Sequence, residues 1–299
     1  MKQIISASRR TDLPARYASW LARALHAGEV EVPQPYSGRT SLVSLRPVDV
    51  HTIVLMSKDF GPLLRDEGGL RGALAAYDQV TCQLTITGLG GSRLEPGVPA
   101  PEVTLAQLAP LAGWLGDVRR LTVRFDPIVH WREGGETASN MAFAPRLLDA
   151  CAAGGLSAVR LSFATIYRKM ALRGVEWVEP TPERQTAIAA SLVRQAAERG
   201  ISVYACCQPW LAETGAKLAG CIDAAALAAL HPKCERAPGG RDKGQRSACL
   251  CSPSRDIGSY RMSCGNGCLY CYASPLDSRQ ELGDVGVDAA RDGEGVLGP

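Results

Sequence analysis

Along the first two thirds of the chain, short apolar runs alternate with longer segments whose apolar positions recur at helical spacing. Residues 2–8 (KQIISAS) read as a strand. Residues 14–27 carry Tyr17, Trp20, Leu21, Ala24 and Leu25 on one helical face, stopped by Gly28. The alternation continues with a buried strand at 52–57 (TIVLMS), a helix at 62–77 interrupted by Gly68 and Gly69, and a strand at 80–87. A helix at 105–115 leads to a strand at 120–125 that ends at Asp126-Pro127, then to a helix at 138–153 closed by Gly154-Gly155. The last elements are a strand at 158–163, a helix at 182–199 closed by Gly200, and a strand at 201–206. Some six β-α units in succession imply a parallel sheet with right-handed crossovers. The fold expected is α/β, a partial (β/α)6 TIM-like barrel, with a doubly wound open sheet as the alternative. No G-x-G-x-x-G follows the first strand, which weighs against a dinucleotide site.

After residue 206 the pattern changes. Residues 211–229 allow one or two small helices. Residues 231–263 are rich in Pro, Gly, Arg and Ser with little periodicity, a loop long enough to be functional and here expected to be ordered by metal. From residue 276 the chain is acidic and Gly-rich, so a disordered tail is expected there. The domain reading is therefore a barrel over 1–210, a cysteine-rich iron–sulfur lobe over 211–275 lying on the barrel mouth, and the tail over 276–299.

Composition narrows the function. The chain has 299 residues, 46% hydrophobic and 21% charged, which excludes fibrous and disordered classes. The net charge of +3 argues against a nucleic-acid coat. Neither a signal peptide nor an apolar stretch of about 18 residues is present, so a cytoplasmic protein without a membrane partner is expected. In a reducing compartment, eleven cysteines are not a disulfide framework. Nine of them lie from Cys206 onward, and only Cys82 and Cys151 precede it, where they fit buried core thiols.

Chemistry in parallel α/β folds gathers at the C-terminal ends of strands, and those ends are polar here. The first strand runs into Ser8-Arg9-Arg10-Thr11-Asp12 and the second into Ser57-Lys58-Asp59. Gln83, Thr85 and Thr87 sit on the third, Arg124 and Asp126 on the fourth, Arg160 and Ser162 on the fifth, and Cys206-Cys207-Gln208 end the sixth. Arg9, Arg10, Asp12, Arg124 and Asp126 are the candidate catalytic groups. Arg9 or Arg10 could clamp an anionic substrate or pair with Asp126 across the mouth. Asp12 could instead be a helix N-cap, and Asp126 a turn residue. His26, His51, His130 and His231 form no ligand-spaced cluster.

The sharpest motif is Cys264-Gly-Asn-Gly-Cys268-Leu-Tyr270-Cys271, a C-x3-C-x2-C run with an aromatic residue before the last thiol. Three thiolates can hold three irons of a 4Fe-4S cube, Gly265 and Gly267 let the backbone wrap it, and the fourth iron stays open. This motif resembles the signature of the radical S-adenosylmethionine superfamily. The resemblance implies that S-adenosylmethionine binds the open iron, that an electron cleaves it to a 5′-deoxyadenosyl radical, and that a reductant such as flavodoxin or ferredoxin supplies that electron. It implies a radical enzyme acting on a small-molecule or macromolecular substrate. In that superfamily the signature follows the first strand, whereas here it follows the last unit.

From residue 1 to about 273 the chain also resembles the bacterial family DUF1848. The resemblance is carried by Ile4-Ile5-Ser6-Ala7-Ser8-Arg9-Arg10-Thr11-Asp12, Arg124-Phe125-Asp126-Pro127-Ile128, Cys221-Ile222-Asp223, Asp242-Lys243-Gly244-Gln245-Arg246, Cys249-x-Cys251, Asp256-Ile257-Gly258-x-Tyr260 and the final cysteine motif with Tyr272-Ala273. Cys249 and Cys251 admit three readings. One could close the same cluster, leaving an electron carrier or redox sensor. They could join Cys206 or Cys207, Cys221 and Cys234 in a second cluster. Or the whole set could bind zinc in a binding module. Lys243 and Arg246 could neutralise the cluster or hold an anionic ligand, Tyr270 belongs to the cofactor loop, and Tyr260 and Tyr272 flank it.

Overall fold

The computed structural model describes residues 2–34 and 39–273. Each of the six expected strands forms: Gln3–Ala7 (β1), then after a hairpin of Glu29–Pro33 (β2) and Thr40–Ser44 (β3), Val50–Ser57 (β4), Val80–Thr85 (β5) and Leu121–Ile128 (β6). A second hairpin of His130–Glu133 (β7) and Glu136–Ser139 (β8) precedes Ala158–Phe163 (β9) and Ser202–Ala205 (β10). Two further strands, Lys217–Leu218 (β11) and Arg255–Asp256 (β12), complete one sheet of eight in the order β11-β10-β9-β6-β5-β4-β1-β12, every pair parallel. The fold is thus α/β on a parallel sheet, wider by two edge strands than the six expected.

The sheet has two unlike faces because its strands alternate. Ile5, Ala7, Ile53, Leu55, Leu84, Val123, Phe125, Leu161 and Val203 point into the main core, where helices Ala18–Ala27, Leu108–Leu115, Ala144–Ala153 and Pro182–Ala197 bury their apolar stripes. The other face is polar where Arg124 and Arg160 stand level in register. It carries a smaller cluster in which Ile4, Val54 and Met56 meet Ile222, Leu227, Cys249 and Cys251. The C-terminal segment therefore covers the polar face, and its β12 joins the sheet beside β1.

Several expected elements are reshaped. The helix expected at 14–27 breaks at Tyr17 (φ −134°, ψ 32°) into Leu13–Arg16 and Ala18–Ala27. The one at 62–77 becomes Gly61–Leu64 and Leu70–Leu74, separated by Gly68 and Gly69 at positive φ. The strand expected to stop at Asp126-Pro127 runs through to Ile128. The helix expected from 138 starts only at Ala144, because residues 136–139 pair in the hairpin. Residues 276–299, expected as a disordered tail, lie outside the described residues, and no helix among the described residues is long and apolar enough to cross a membrane.

The edge strands β11 and β12 do not pair with each other among the described residues. The segment that follows β11 and the segment that precedes β12 touch each other instead. Ser252 N–H donates to Ile222 O at 2.8 Å, and Ala224 N–H donates to Ser252 Oγ at 3.0 Å. Gly220 lies so close to the crossing chain that a Cβ there would fall 2.6 Å from Leu250 O and 2.7 Å from Cys251 Cα. Backbone cannot yield as a flexible side chain can. Gly220→Ala should therefore destabilise the fold by about 1–3 kcal/mol through overpacking, read as a lower urea midpoint than wild type.

Candidate functional site

A cavity of about 350 Å³ opens at the C-terminal ends of the strands. β1 delivers Ser8 to Asp12 to it, β4 delivers Met56 to Lys58, β6 delivers Arg124 and Asp126, β9 leads to Ser162 to Thr165, and β10 to Cys206 to Gln208. The C-terminal segment closes over it with Cys249, Cys251, Tyr260, Cys264, Cys268, Tyr270, Cys271 and Tyr272. All five candidate catalytic residues line this one cavity.

Their partners separate positioning from reacting groups. Asp12 is buried and takes four hydrogen bonds: Ser57 Oγ at 2.6 Å, Asn266 Nδ2 at 2.8 Å, Lys58 N–H at 2.9 Å and, as N-cap, Ala15 N–H at 3.2 Å. Burial pushes this carboxyl up, and those donors act against the rise. Arg9 and Arg10 do not reach Asp126. Arg9 pairs with Asp256 at 3.6 Å and donates to Ser254 Oγ at 2.7 Å, while Arg10 donates to Gly258 O at 3.1 Å and stands 5.8 Å from the Tyr260 ring centre. Asp126 is held by Arg124 and by the Ser162 hydroxyl. Asp256 anchors β12 to β1 by accepting from Ser6 Oγ, Ser8 Oγ and Arg9 N–H.

The C-x3-C-x2-C loop is held by cations on its carbonyls. Arg16 donates to Asn266 Oδ1 at 2.9 Å and to Gly265 O at 3.1 Å, and Arg173 donates to Leu269 O at 2.9 Å and Cys271 O at 2.7 Å. Gly97 N–H donates to Asn266 O at 3.1 Å and Leu269 N–H to Leu94 O at 3.0 Å. Gly267 turns at φ +63°, against Pro96. A Cβ on Gly97 would fall 1.9 Å from Gly265 O, so the two chains touch backbone to backbone. Behind the loop, Lys58 Nζ pairs with Glu95 at 2.9 Å, Thr87 Oγ1 donates to Glu95 at 2.7 Å, and the Tyr270 hydroxyl donates to the same carboxylate. Burial would lower the Lys58 ammonium, but Glu95 and Cys268 override it and hold the group above its usual value. Burial likewise pushes the Cys268 thiol well up, with Lys58 the charge acting against it.

A second set of thiols forms elsewhere on the wall. Sulfurs of Cys206, Cys221 and Cys251 lie within 4.8 Å of one another, as do those of Cys206, Cys207 and Cys249. Cys264, Cys268 and Cys271 are not such a group among the described residues. Cys251 is therefore gathered with Cys206 and Cys221, and Cys249 with Cys206 and Cys207, while Cys234 is exposed and belongs to neither group. All eleven cysteines are free thiols. Cys82 and Cys151 are buried in the main core, where burial raises both, Cys151 to about 12. Lys243 is exposed and off the cavity wall. Arg246 lines the cavity and donates to the Tyr167 hydroxyl at 3.4 Å.

Sequence reasoning missed Glu95, Asn266, Arg16 and Arg173, and gave Lys58 no role. Asn266 sits inside the cysteine motif, which is the one local signal that could have found it. Glu95 is 1% exposed, and a lone Glu in a Gly-Pro-rich loop offers no pattern. Lys58→Met should leave its charge buried without a cation and cost about 3–5 kcal/mol in urea unfolding. Pairing Lys58→Met with Glu95→Leu should recover most of that loss.

Three comparisons bear on the chain. A family model described as "Domain of unknown function (DUF1848)" matches residues 4–273. No curated protein matches. A solved structure, the xylose isomerase domain protein from Planctomyces limnophilus, is similar at 16% identity and a TM-score of 0.24 over 62% of this chain, which spans 57% of that one.

Proposed function

We propose that this chain, which belongs to the DUF1848 family, is an iron–sulfur enzyme of the radical S-adenosylmethionine type with its site in the cavity at the C-terminal ends of the parallel strands. The observation that carries the reading is the partition of the thiols. Cys251 groups with Cys206 and Cys221, and Cys249 with Cys206 and Cys207, which leaves the C-x3-C-x2-C loop its own three thiols. A cluster closed by four cysteines would need a fourth thiol.

The loop suits a cluster. Its sulfurs stand too far apart to share one ion, all three line the cavity, and the glycines and backbone contacts with Gly97 let the chain bend around a bulky group. Cys264, Cys268 and Cys271 would hold three irons of a 4Fe-4S cluster. With S-adenosylmethionine on its open iron, the group supplies reductive cleavage of the sulfonium and so a hydrogen-abstracting radical.

The chain's own residues do the rest. Lys58, set against Cys268 and balanced by Glu95, offsets the negative charge that thiolates and sulfides bring into a buried place. Asp12, through Asn266, fixes the loop to β1 and β4 and acts by positioning. Arg9 and Arg10 hold the rim through Asp256 and Gly258. Arg124 and Asp126, with Arg160 level with Arg124 on the polar face, are the groups left to bind and orient substrate, in a cavity that Tyr260 and Tyr272 also line. Free thiols throughout suit a reducing, cytoplasmic setting, and a flavodoxin or ferredoxin is the class of reductant required.

Anaerobically purified protein should contain about four iron and four sulfide at this loop. Its reduced electron paramagnetic resonance signal should change when S-adenosylmethionine is added, and the triple variant C264S/C268S/C271S should lose that signal. A cluster signal indifferent to S-adenosylmethionine, or protein without iron, overturns the reading.

A further inference from the structure

The five thiols opposite the C-x3-C-x2-C loop come from three places in the chain. Cys206 and Cys207 end β10, Cys221 follows β11, and Cys249 and Cys251 precede β12. Cys206 is central. Its Sγ lies 3.8 Å from that of Cys207 and 3.9 Å from that of Cys249, and it belongs to both groups of close thiols. A tetrahedral ion with metal–sulfur bonds of about 2.3 Å sets its ligand sulfurs about 3.8 Å apart. An iron–sulfur cube spreads its ligands over several irons and stands them farther apart. Cys206, Cys221 and Cys251 lie within 4.8 Å of one another and Cys249 stands 3.9 Å from Cys206, a spacing that suits one ion, whereas Cys207 groups only with Cys206 and Cys249.

Positive charge stands near these sulfurs. Four thiolates around a divalent ion leave a doubly negative centre, and Arg160 and Arg246 line the same cavity as Cys206, Cys221, Cys249 and Cys251. Arg160 also donates to Ala219 O at 3.0 Å, steadying the turn that presents Cys221.

We propose that Cys206, Cys221, Cys249 and Cys251 bind a single tetrahedral, thiophilic divalent ion of the zinc class, distinct from any cluster on Cys264, Cys268 and Cys271, and that this ion fastens the seam between the two sheet edges. Cys206 and Cys221 lie at the β10–β11 side, and Cys249 and Cys251 on the segment that enters β12. β11 and β12 do not pair with each other among the described residues, so the ion would add to the Ser252–Ile222 hydrogen bond that joins the segments beside them. Four protein ligands leave no open position, which makes the centre structural. The inference does not depend on the radical-enzyme reading.

The test is metal and sulfide analysis of the full chain purified without oxygen, as wild type, C264S/C268S/C271S and C249S/C251S, with C234S as control. Wild type and C234S should hold about one zinc per chain beside iron and sulfide. C264S/C268S/C271S should keep the zinc while losing iron and sulfide, and cobalt(II) supplied in place of zinc should give the ligand-field absorption of a tetrahedral thiolate site. C249S/C251S should lose the zinc. Should that variant not fold, the wild type and C264S/C268S/C271S still decide the matter. Wild type without zinc, or C264S/C268S/C271S retaining iron and sulfide, overturns the proposal, the latter by showing a second iron–sulfur cluster. Loss of iron from wild type with zinc retained would sink the radical-enzyme reading alone.

Discussion

Asp12 is the pin on which the cavity depends. Its carboxylate closes the N-terminus of the helix after β1, takes the Lys58 N–H at the end of β4, and holds Asn266 in the middle of the cysteine loop. Three stretches of chain, from residues 12, 58 and 266, meet on one side chain. A buried carboxylate is tolerated only when its lone pairs are filled, so the loop must sit where Asn266 can fill one. Arg16 then repeats the constraint from the same helix by binding Asn266 and Gly265. The helix that follows β1 thus sets the position of a motif 250 residues downstream.

Charge is the second constraint. Thiolates are the metal-binding form, and burial opposes them. The cavity meets that opposition with cations placed beside each set of sulfurs: Lys58 by Cys268, Arg124 and Arg160 by Cys221, and Arg246 by Cys207. Lys58 and Arg124 carry their own carboxylates, Glu95 and Asp126. This arrangement explains why the polar face of the sheet is rich in arginine. It also explains why the apolar cluster beneath the cysteines is small.

Much of the fold was legible because strands buried on one or both faces leave strong apolar runs, and all six main strands fall where those runs lie. The two hairpins were missed although both carried signals. Residues 29–33 (EVEVP) alternate with period two, and Gly134-Gly135 is a turn pair with both residues at positive φ. Strands of two residues, β11 and β12, have no periodicity to read. β12 owes its place to Asp256 accepting from Ser6 and Ser8, a pairing across 250 residues that no local window contains. In the site, the spacing of Cys264, Cys268 and Cys271 announced one centre. The gathering of Cys206 and Cys221 with Cys249 and Cys251, and the exclusion of Cys234, required the strand order. Glu95 and Arg173 entered through loops whose polar residues look like any solvated surface.

The central claim is that one cavity wall carries two thiolate centres of different kinds. Anomalous diffraction at the iron and zinc edges, from crystals grown without oxygen, tests it most directly. The account predicts iron density at Cys264, Cys268 and Cys271, and a separate, compact zinc peak among Cys206, Cys221, Cys249 and Cys251. A single centre drawing ligands from both sets, or the same metal at both, would contradict it.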